Sequence, residues 1–76
     1  MTLLDLQPSQ LGIIEELGGD SHVKSRLMEM GISENAEIRL IRKMPFKGPL
    51  TFKIRSSLIS IRISDASKII VRLHEK

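Results

Sequence analysis

The sequence predicts a mainly β domain, a small barrel of five to six strands with one short α-helix. Three observations support this class: the chain has only 76 residues, apolar and polar residues alternate over most of its second half, and a helical period occurs once, in residues 21–30. A chain of this length has room for one domain, so residues 1–76 are expected to fold as a single unit. So many short strands favour a closed or nearly closed barrel, because closure hides the edges of a sheet.

The first part of the chain predicts one strand followed by the helix. Residues 12–17 are typical of a strand, which Gly18-Gly19 closes. Asp20 or Ser21 can cap the helix by accepting hydrogen bonds from its free N–H groups, and Gly31 ends it because glycine adopts the left-handed conformation without strain. The helix is expected to turn one narrow apolar face to the core, formed by Val23, Leu27 and Met30.

After residue 36 the hydrophobic period changes from about 3.6 residues to about 2, which predicts the remaining strands. A tight turn is expected at Ser56-Ser57, and a helical turn near residues 64–67 with Ser64 as its cap. The strands are predicted over residues 37–44, 50–55, 59–63 and 69–73. The alternation places these side chains in the core: Ile38, Leu40, Met44, Leu50, Phe52 and Ile54.

The charge of the chain is unevenly distributed, with −4 over residues 1–35 and +7 over residues 36–76. A basic half can meet nucleic acid, an anionic membrane surface or an acidic partner, or can simply form the solvated faces of strands. Nucleic acid is not expected, because single-strand binding needs aromatic platforms and the chain has two Phe and no Trp or Tyr. Apolar runs are far shorter than the roughly 20 residues that cross a bilayer, and no signal peptide begins the chain, so we expect a cytoplasmic protein without membrane insertion.

Catalytic and cofactor-binding residue types are scarce. The chain has no Cys, and its two His, His22 and His74, lie far apart in sequence. No phosphate-binding loop or nucleophile elbow occurs, so neither an enzyme nor a cofactor is predicted. An oxygen-and-nitrogen metal site of His22 with Glu15, Glu16 or Asp20 is conceivable by composition, but an exposed His at a helix start is the commoner case, and no metal site is predicted. The methionines are expected to fill gaps in the core rather than to bind a soft metal: Met28, Met30 and Met44.

Four segments together are similar to a known family: Arg26-Leu27-Met28-Glu29-Met30-Gly31-Ile32, Gly48-Pro49-Leu50, Ile59-Ser60-Ile61-Arg62 and Ile69-Ile70-Val71. They resemble FeoA, the ferrous iron transport protein A family, and the resemblance extends from about Leu4 to Leu73. It implies an SH3-like barrel in the cytoplasm whose partner is the cytosolic GTP-binding part of the membrane transporter FeoB. The family usually has Pro-Gly where this chain has Glu34-Asn35, and it favours Gly where Ser56 stands. The domain also resembles the C-terminal module of DtxR-type repressors, which leaves a metal-responsive domain as an alternative beside a nucleic-acid-binding barrel.

Exposed apolar residues are the candidates for contact with a partner. Met28 lies off the apolar face of the helix, and Phe46 lies in the loop between two prolines, whereas Lys47 and Arg62 can add a rim that favours an acidic surface. We predict that these four residues bind the transporter and that the monomeric domain regulates it. Ile41 and Leu58 fall on the outer side of their strands and either face solvent or pack beneath the helix or the N-terminal segment.

Overall fold

Residues 1–74, the part of the chain that the computed structural model describes, form a mainly β fold, as predicted. The strands in this part are Leu11–Leu17 (β1), Glu37–Lys43 (β2), Leu50–Ile54 (β3), Ser57–Ile61 (β4) and Ile69–Leu73 (β5). The helices are Ser21–Glu29 (α1) and Ile63–Ala66 (α2), and a 3-10 turn covers Leu3–Asp5. The predictions of a helix over residues 21–30 and of a helical turn near 64–67 are confirmed to within one residue at each end.

The five strands form one antiparallel sheet in the order β4-β3-β2-β1-β5. Strands β2, β3 and β4 follow one another as a meander, whereas the pairing of β1 with β5 joins the beginning of the chain to its end. Two further backbone hydrogen bonds hold the end of the chain to its beginning. The Val71 N–H donates to the Met1 carbonyl at 2.8 Å, and the His74 N–H donates to the Leu11 carbonyl at 3.0 Å. The first and last strands therefore depend on each other.

The hairpin between β3 and β4 turns at Arg55 and Ser56, one residue earlier than the predicted Ser56-Ser57. Ile54 pairs with Ser57, which leaves two residues in the turn. Arg55 has a φ of 58°, in the left-handed region that two-residue hairpins use because it matches the twist of the strands. The position at which glycine would relieve strain is therefore Arg55 rather than Ser56.

Strand β2 contains a β-bulge that strict alternation does not predict. The register between β2 and β3 shifts by one residue after Leu40, so that Ile41 is the extra residue. Beyond the bulge, Lys43 lies opposite the buried Leu50. The prediction that Met44 lies in the core is wrong, because the bulge reverses the phase and leaves Met44 42% exposed.

The C-terminal end of α1 is a Schellman motif. Gly31 has a φ of 92°, and its N–H donates to the Met28 carbonyl at 3.0 Å. The Ile32 N–H reaches back to the Leu27 carbonyl at 3.0 Å, and both of these side chains are fully buried. The prediction that Gly31 ends the helix is confirmed, and Asn35, at φ 69°, takes the left-handed conformation in the turn that follows.

The apolar face of α1 is narrower than predicted. Leu27 is fully buried and Val23 half-buried, but Met30, which was expected on the core face, is 36% exposed. The helix ends at Glu29, so Met30 belongs to the cap, and Ile32 enters the core in its place. The prediction that three methionines fill gaps in the core is wrong for all of them, since the following are exposed: Met28, Met30 and Met44.

A single core cluster lies on one side of the sheet, and every helix and strand of residues 1–74 contributes to it. Of the positions that alternation predicts as buried, only Met44 lies outside it. The buried apolar residues are Leu3, Leu6, Ile14, Leu17, Leu27, Ile32, Ile38, Leu40, Leu50, Phe52, Ile54, Ile61, Ala66, Ile69 and Val71.

An ion pair joins the two helices. Nη2 of Arg26 donates to Oδ1 of Asp65 at 2.7 Å, and the Asp65 side chain is only 13% exposed. Ser64 does not cap α2 as predicted, because the helix begins at Ile63 and Arg62 occupies the cap position. Charge-assisted hydrogen bonds between partly buried groups are stronger than neutral ones, so this pair holds α2 against the last turn of α1.

Replacement of Gly31 with alanine is expected to lower the free energy of unfolding by about 1 kcal/mol, because an L-residue is strained in the left-handed conformation. A Cβ at this position would meet no atom within 4 Å, so the loss would report backbone strain rather than a clash. Gly31→Asn is the matched control and should lose less, since Asn tolerates this conformation. Urea denaturation followed by circular dichroism measures both variants, and an alanine variant as stable as the original chain would contradict the prediction.

The cap at the start of α1 predicts a pH dependence of stability. The Val23 N–H donates to the Asp20 carboxylate at 2.9 Å, and this bond lowers the pKa of Asp20 below its ordinary value. A carboxyl with a lower pKa in the folded state stabilises it above the unfolded-state pKa and loses that contribution as the pH falls through the folded-state pKa. Between about pH 7 and about pH 2.5, the urea midpoint of the original chain should fall more than that of Asp20→Asn, whose cap stays neutral. Equal falls would argue against a role for this carboxylate.

Candidate partner-binding surfaces

Several large apolar side chains lie in solvent. Three of them are more than half exposed: Phe46 at 99%, Leu58 at 65% and Met28 at 60%. Ile41, the bulge residue, is 42% exposed, so neither Ile41 nor Leu58 is covered by the helix or by the N-terminal segment. Scattered exposed apolar residues are common, so a binding surface needs additional features beside them.

The loop between β2 and β3 holds Phe46 in solvent. Phe46 and Lys47 have φ values of 58° and 59°, a region that is unfavourable for residues with a side chain. The Gly48 N–H donates to the Pro45 carbonyl at 3.2 Å and closes the turn. Strained residues of this kind are often found at binding sites, where the surrounding structure holds them ready for a ligand.

An apolar groove with a volume of about 390 Å³ lies next to this loop. Lys43 and Lys47 both take part in its walls, so apolar surface and positive charge occur together. Such a combination favours a partner that is both apolar and acidic. We call Phe46 and this groove the Phe46 surface; the groove is lined chiefly by Leu4, Lys43, Met44, Lys47, Leu50 and Ile63.

Met28 lies in a different groove from the Phe46 surface. This second groove has a volume of about 320 Å³, and its other lining residues are Leu17, Ser33 and Glu34. The carboxylate of Glu34 makes it less suited to an acidic partner than the Phe46 surface. Met28 was predicted from its position off the apolar face of the helix, and its exposure is confirmed.

Arg62 lies in a third groove, between β4 and the two helices. This groove has a volume of about 200 Å³ and includes both members of the interhelical ion pair; its lining residues are Arg26, Met30, Ser60, Arg62 and Asp65. Arg26 is occupied by Asp65, whereas Arg62 forms no ion pair with another described residue of the chain. Arg62 is therefore available to an acidic group from outside.

The four residues predicted to bind a partner are thus distributed over three grooves that have no lining residue in common. Phe46 and Lys47 are brought together because they are neighbours in sequence, and the structure does not bring Met28 or Arg62 to them within one groove. Sequence reasoning missed the groove residues Leu4, Lys43 and Ile63. Alternation along β2 could not place Lys43 at the groove, because its position depends on the bulge. Leu4 and Ile63 are distant in sequence, and only the tertiary fold brings them to the same groove.

The outer face of the sheet is basic. Arg39 and Lys53 pair across β2 and β3, and with Arg55 and Glu37 they surround a shallow groove of about 250 Å³. Nη1 of Arg39 also donates to the Ser9 carbonyl at 2.6 Å. Phe52 is fully buried on the opposite side, so this face lacks the aromatic platforms on which nucleic acid bases stack.

Residues 1–74 contain neither a cluster of metal-binding side chains nor a membrane-spanning helix. No three His, Cys, Asp or Glu side chains in this range come together in a way that could hold a metal ion. The longer helix, α1, has nine residues, whereas roughly 20 are needed to cross a bilayer.

Comparison with known proteins identifies the family of this chain. The FeoA domain model matches residues 1–73. An Fe(2+) transport protein A/Fe(2+) transporter FeoB fusion protein of Porphyromonas gingivalis is 29% identical over 73 residues, which are 96% of this chain and 9% of the fusion protein. The chain therefore spans less than a tenth of the length of this relative.

Several solved structures share the fold, among them the two that follow. The solution structure of iron(II) transport protein A from Clostridium thermocellum has a TM-score of 0.91 and 27% identity, and the match covers 96% of this chain and 45% of that one. The FeoA of Stenotrophomonas maltophilia, a prokaryotic SH3 domain protein solved in complex with zinc, has a TM-score of 0.81 and 26% identity over 95% of this chain and 89% of that one. The SH3-like fold predicted from the sequence is thereby confirmed. The chain belongs to the FeoA family of ferrous iron transport accessory domains.

Proposed function

We propose that this chain binds the cytosolic GTP-binding part of the ferrous iron transporter FeoB and regulates it. The relative in which the two proteins are joined in one chain supports this partner. Fusion raises the effective concentration of two parts to roughly the millimolar range, so a domain that works in this way needs only modest affinity. The observation in this chain that carries the proposal is Phe46, whose ring is 99% exposed beside an apolar groove.

The Phe46 surface has the composition of a small binding site. An aromatic side chain that enters a pocket of the partner supplies most of the binding free energy in many interfaces, and cationic groups at the rim select an acidic surface. Phe46 provides the aromatic group, and Lys43 and Lys47 provide the charges. The left-handed conformation of Phe46 and Lys47 holds the ring outward before the partner arrives, which lowers the entropy cost of binding.

Regulation requires that the domain prefers one state of the transporter. A ligand that binds the GDP and GTP states equally well shifts no equilibrium, however tightly it binds. We propose that the Phe46 surface contacts a part of the GTP-binding domain that differs between these states. Whether the preferred state is active or inactive decides if the domain activates or inhibits transport.

We further propose that the chain acts as a monomeric domain in the cytoplasm, without catalysis, without a resident metal and without nucleic acid. Its basic outer face then serves solubility and attraction to an acidic partner rather than phosphate contacts. The burial of Phe52 supports this choice over a nucleic-acid-binding role, because the ring cannot stack on a base.

Phe46→Ser is expected to weaken binding to the soluble GTP-binding domain of FeoB by about tenfold, or about 1.4 kcal/mol, because an exposed aromatic group contributes to the complex and not to the folded domain. A titration of the ¹⁵N-labelled chain followed by NMR measures the affinity, once with GDP and once with a GTP analogue. Leu73→Ser is the matched control, since Leu73 is 38% exposed on β5 and lines none of the three grooves. Normal binding by a folded Phe46→Ser would place the contact elsewhere.

The same titration distinguishes the remaining predicted residues. If the contact lies at the second groove, Met28→Asp and not Phe46→Ser should abolish the shifts; if it lies at the third, Arg62→Glu should do so. Absence of binding by the original chain in both nucleotide states would contradict the proposed partner.

A further inference from the structure

The two edges of the sheet differ in how they are protected. At the β5 edge, the Val71 N–H donates to the Met1 carbonyl and Thr2 forms a bridge with Ile70, so the N-terminal segment covers it. At the β4 edge, none of the other described residues of the chain forms a backbone hydrogen bond with the strand except those of β3. Residues 1–74 thus cover one edge of the sheet and leave the other open.

Strand β4 also lacks the devices that usually prevent pairing with another chain. Its five residues, Ser57-Leu58-Ile59-Ser60-Ile61, include no charge and no proline, and its register with β3 contains no bulge. Natural proteins normally interrupt such an edge with lysine, proline or a bulge, because an open edge recruits other strands. A regular and uncharged edge of this kind can accept the backbone of another chain.

The hydrogen-bonding groups that face outward can be assigned from the hairpin. In a two-residue hairpin the flanking pair shares both of its backbone bonds, and bonded pairs then alternate along the ladder. Ile54–Ser57 and Phe52–Ile59 are therefore the bonded pairs. Leu58 and Ser60 direct their N–H and C=O groups away from β3, which offers two donors and two acceptors to an added strand.

The surroundings of this edge are cationic. Arg55 precedes β4 and Arg62 follows it, while Lys53 pairs with Leu58 on the neighbouring strand. Ser60 and Arg62 both line the groove between β4 and the helices, so a strand laid along the edge would lie close to Arg62. The exposed Leu58 side chain, at 65%, would pack against an apolar residue of the added strand.

A second copy of this chain fits the edge poorly. Antiparallel pairing of two β4 strands with Leu58 opposite Ser60 would place Arg62 of one copy opposite Ser56 of the other, next in sequence to Arg55, on both sides of the two-fold axis. Like charges brought this close repel each other. The net charge of each copy, +3, adds to this repulsion.

We propose that β4 accepts an extended, acidic segment of the partner, which adds to the sheet as a sixth strand. The backbone of the segment pairs with Leu58 and Ser60, and its carboxylates lie near Arg55 and Arg62. This inference rests on the proposed function for the identity of the partner, the GTP-binding part of the transporter. It adds a second point of contact to the Phe46 surface, with a different chemistry: main-chain hydrogen bonds rather than an aromatic anchor.

Amide hydrogen exchange tests the inference with the ¹⁵N-labelled chain and the soluble GTP-binding domain of FeoB. Saturating partner is expected to slow exchange at the Leu58 and Ser60 amides by about tenfold or more relative to the free chain. The amides of Ile59 and Ile61 already bond to β3 and are the internal reference. If the partner binds and the Leu58 and Ser60 amides are unchanged, the inference is overturned while the proposed function stands; if the partner does not bind at all, both are overturned.

Two pairs of variants distinguish the contribution of main-chain hydrogen bonds to partner binding from the contribution of charge. Ser60→Pro removes an outward donor without removing a bond to β3 and should weaken binding about tenfold, whereas Ser60→Thr keeps the donor and should bind normally.

Because the proline could disturb the strand, Arg62→Glu provides a change that leaves the backbone intact, with Lys24→Glu on the exposed side of α1 as its matched control. Weakened binding by Arg62→Glu alone is expected, and equal effects of the two charge reversals would overturn the acidic character of the segment.

Self-association is the remaining alternative occupant. If the Leu58 and Ser60 amides become protected as the concentration of the chain rises without partner, and sedimentation shows a dimer, β4 pairs with a second copy and the inference is overturned.

Discussion

Burial of one side of a single small sheet is the constraint on which the rest of the structure depends. The chain is short, so each element supplies only one to three side chains to the core. From α1 the core receives Leu27 as the one buried side chain, with the half-buried Val23 packed against it, and Ile32 follows after the helix has ended. The Schellman motif at Gly31 makes this possible, because it turns the chain sharply enough for Leu27 and Ile32 to enter the same core.

The same constraint decides what remains outside. The bulge at Ile41 shifts the phase of β2, so the strand leaves the core early and Met44 points away from it. The following loop then carries Phe46 into solvent, while Lys43 turns toward the apolar groove. The Phe46 surface is thus a consequence of strand register.

The surfaces proposed to bind the partner differ in charge from the groove beside Met28. The Phe46 surface and the β4 edge both carry cationic groups from the basic second half of the chain, namely Lys43, Lys47, Arg55 and Arg62. The groove beside Met28 instead includes Glu34, from the acidic first half. A molecule with this polarity presents an acidic partner with a preferred orientation, and orientation is what an accessory domain needs if it is to distinguish two states of a transporter.

The sequence by itself determined the features that depend on neighbouring residues. These are the mainly β class, the longer helix with a cap at Asp20 or Ser21 and its end at Gly31, and the exposure of Phe46 between two prolines, together with the motifs of the FeoA family. Tertiary structure decided the bulge at Ile41, the turn at Arg55 and the meeting of Arg26 with Asp65, 39 residues apart. Strand register and the packing of α1 are set by contacts between distant parts of the chain. Hydrophobic periodicity shows only which residues favour burial, so it cannot show which of them are buried in the folded protein.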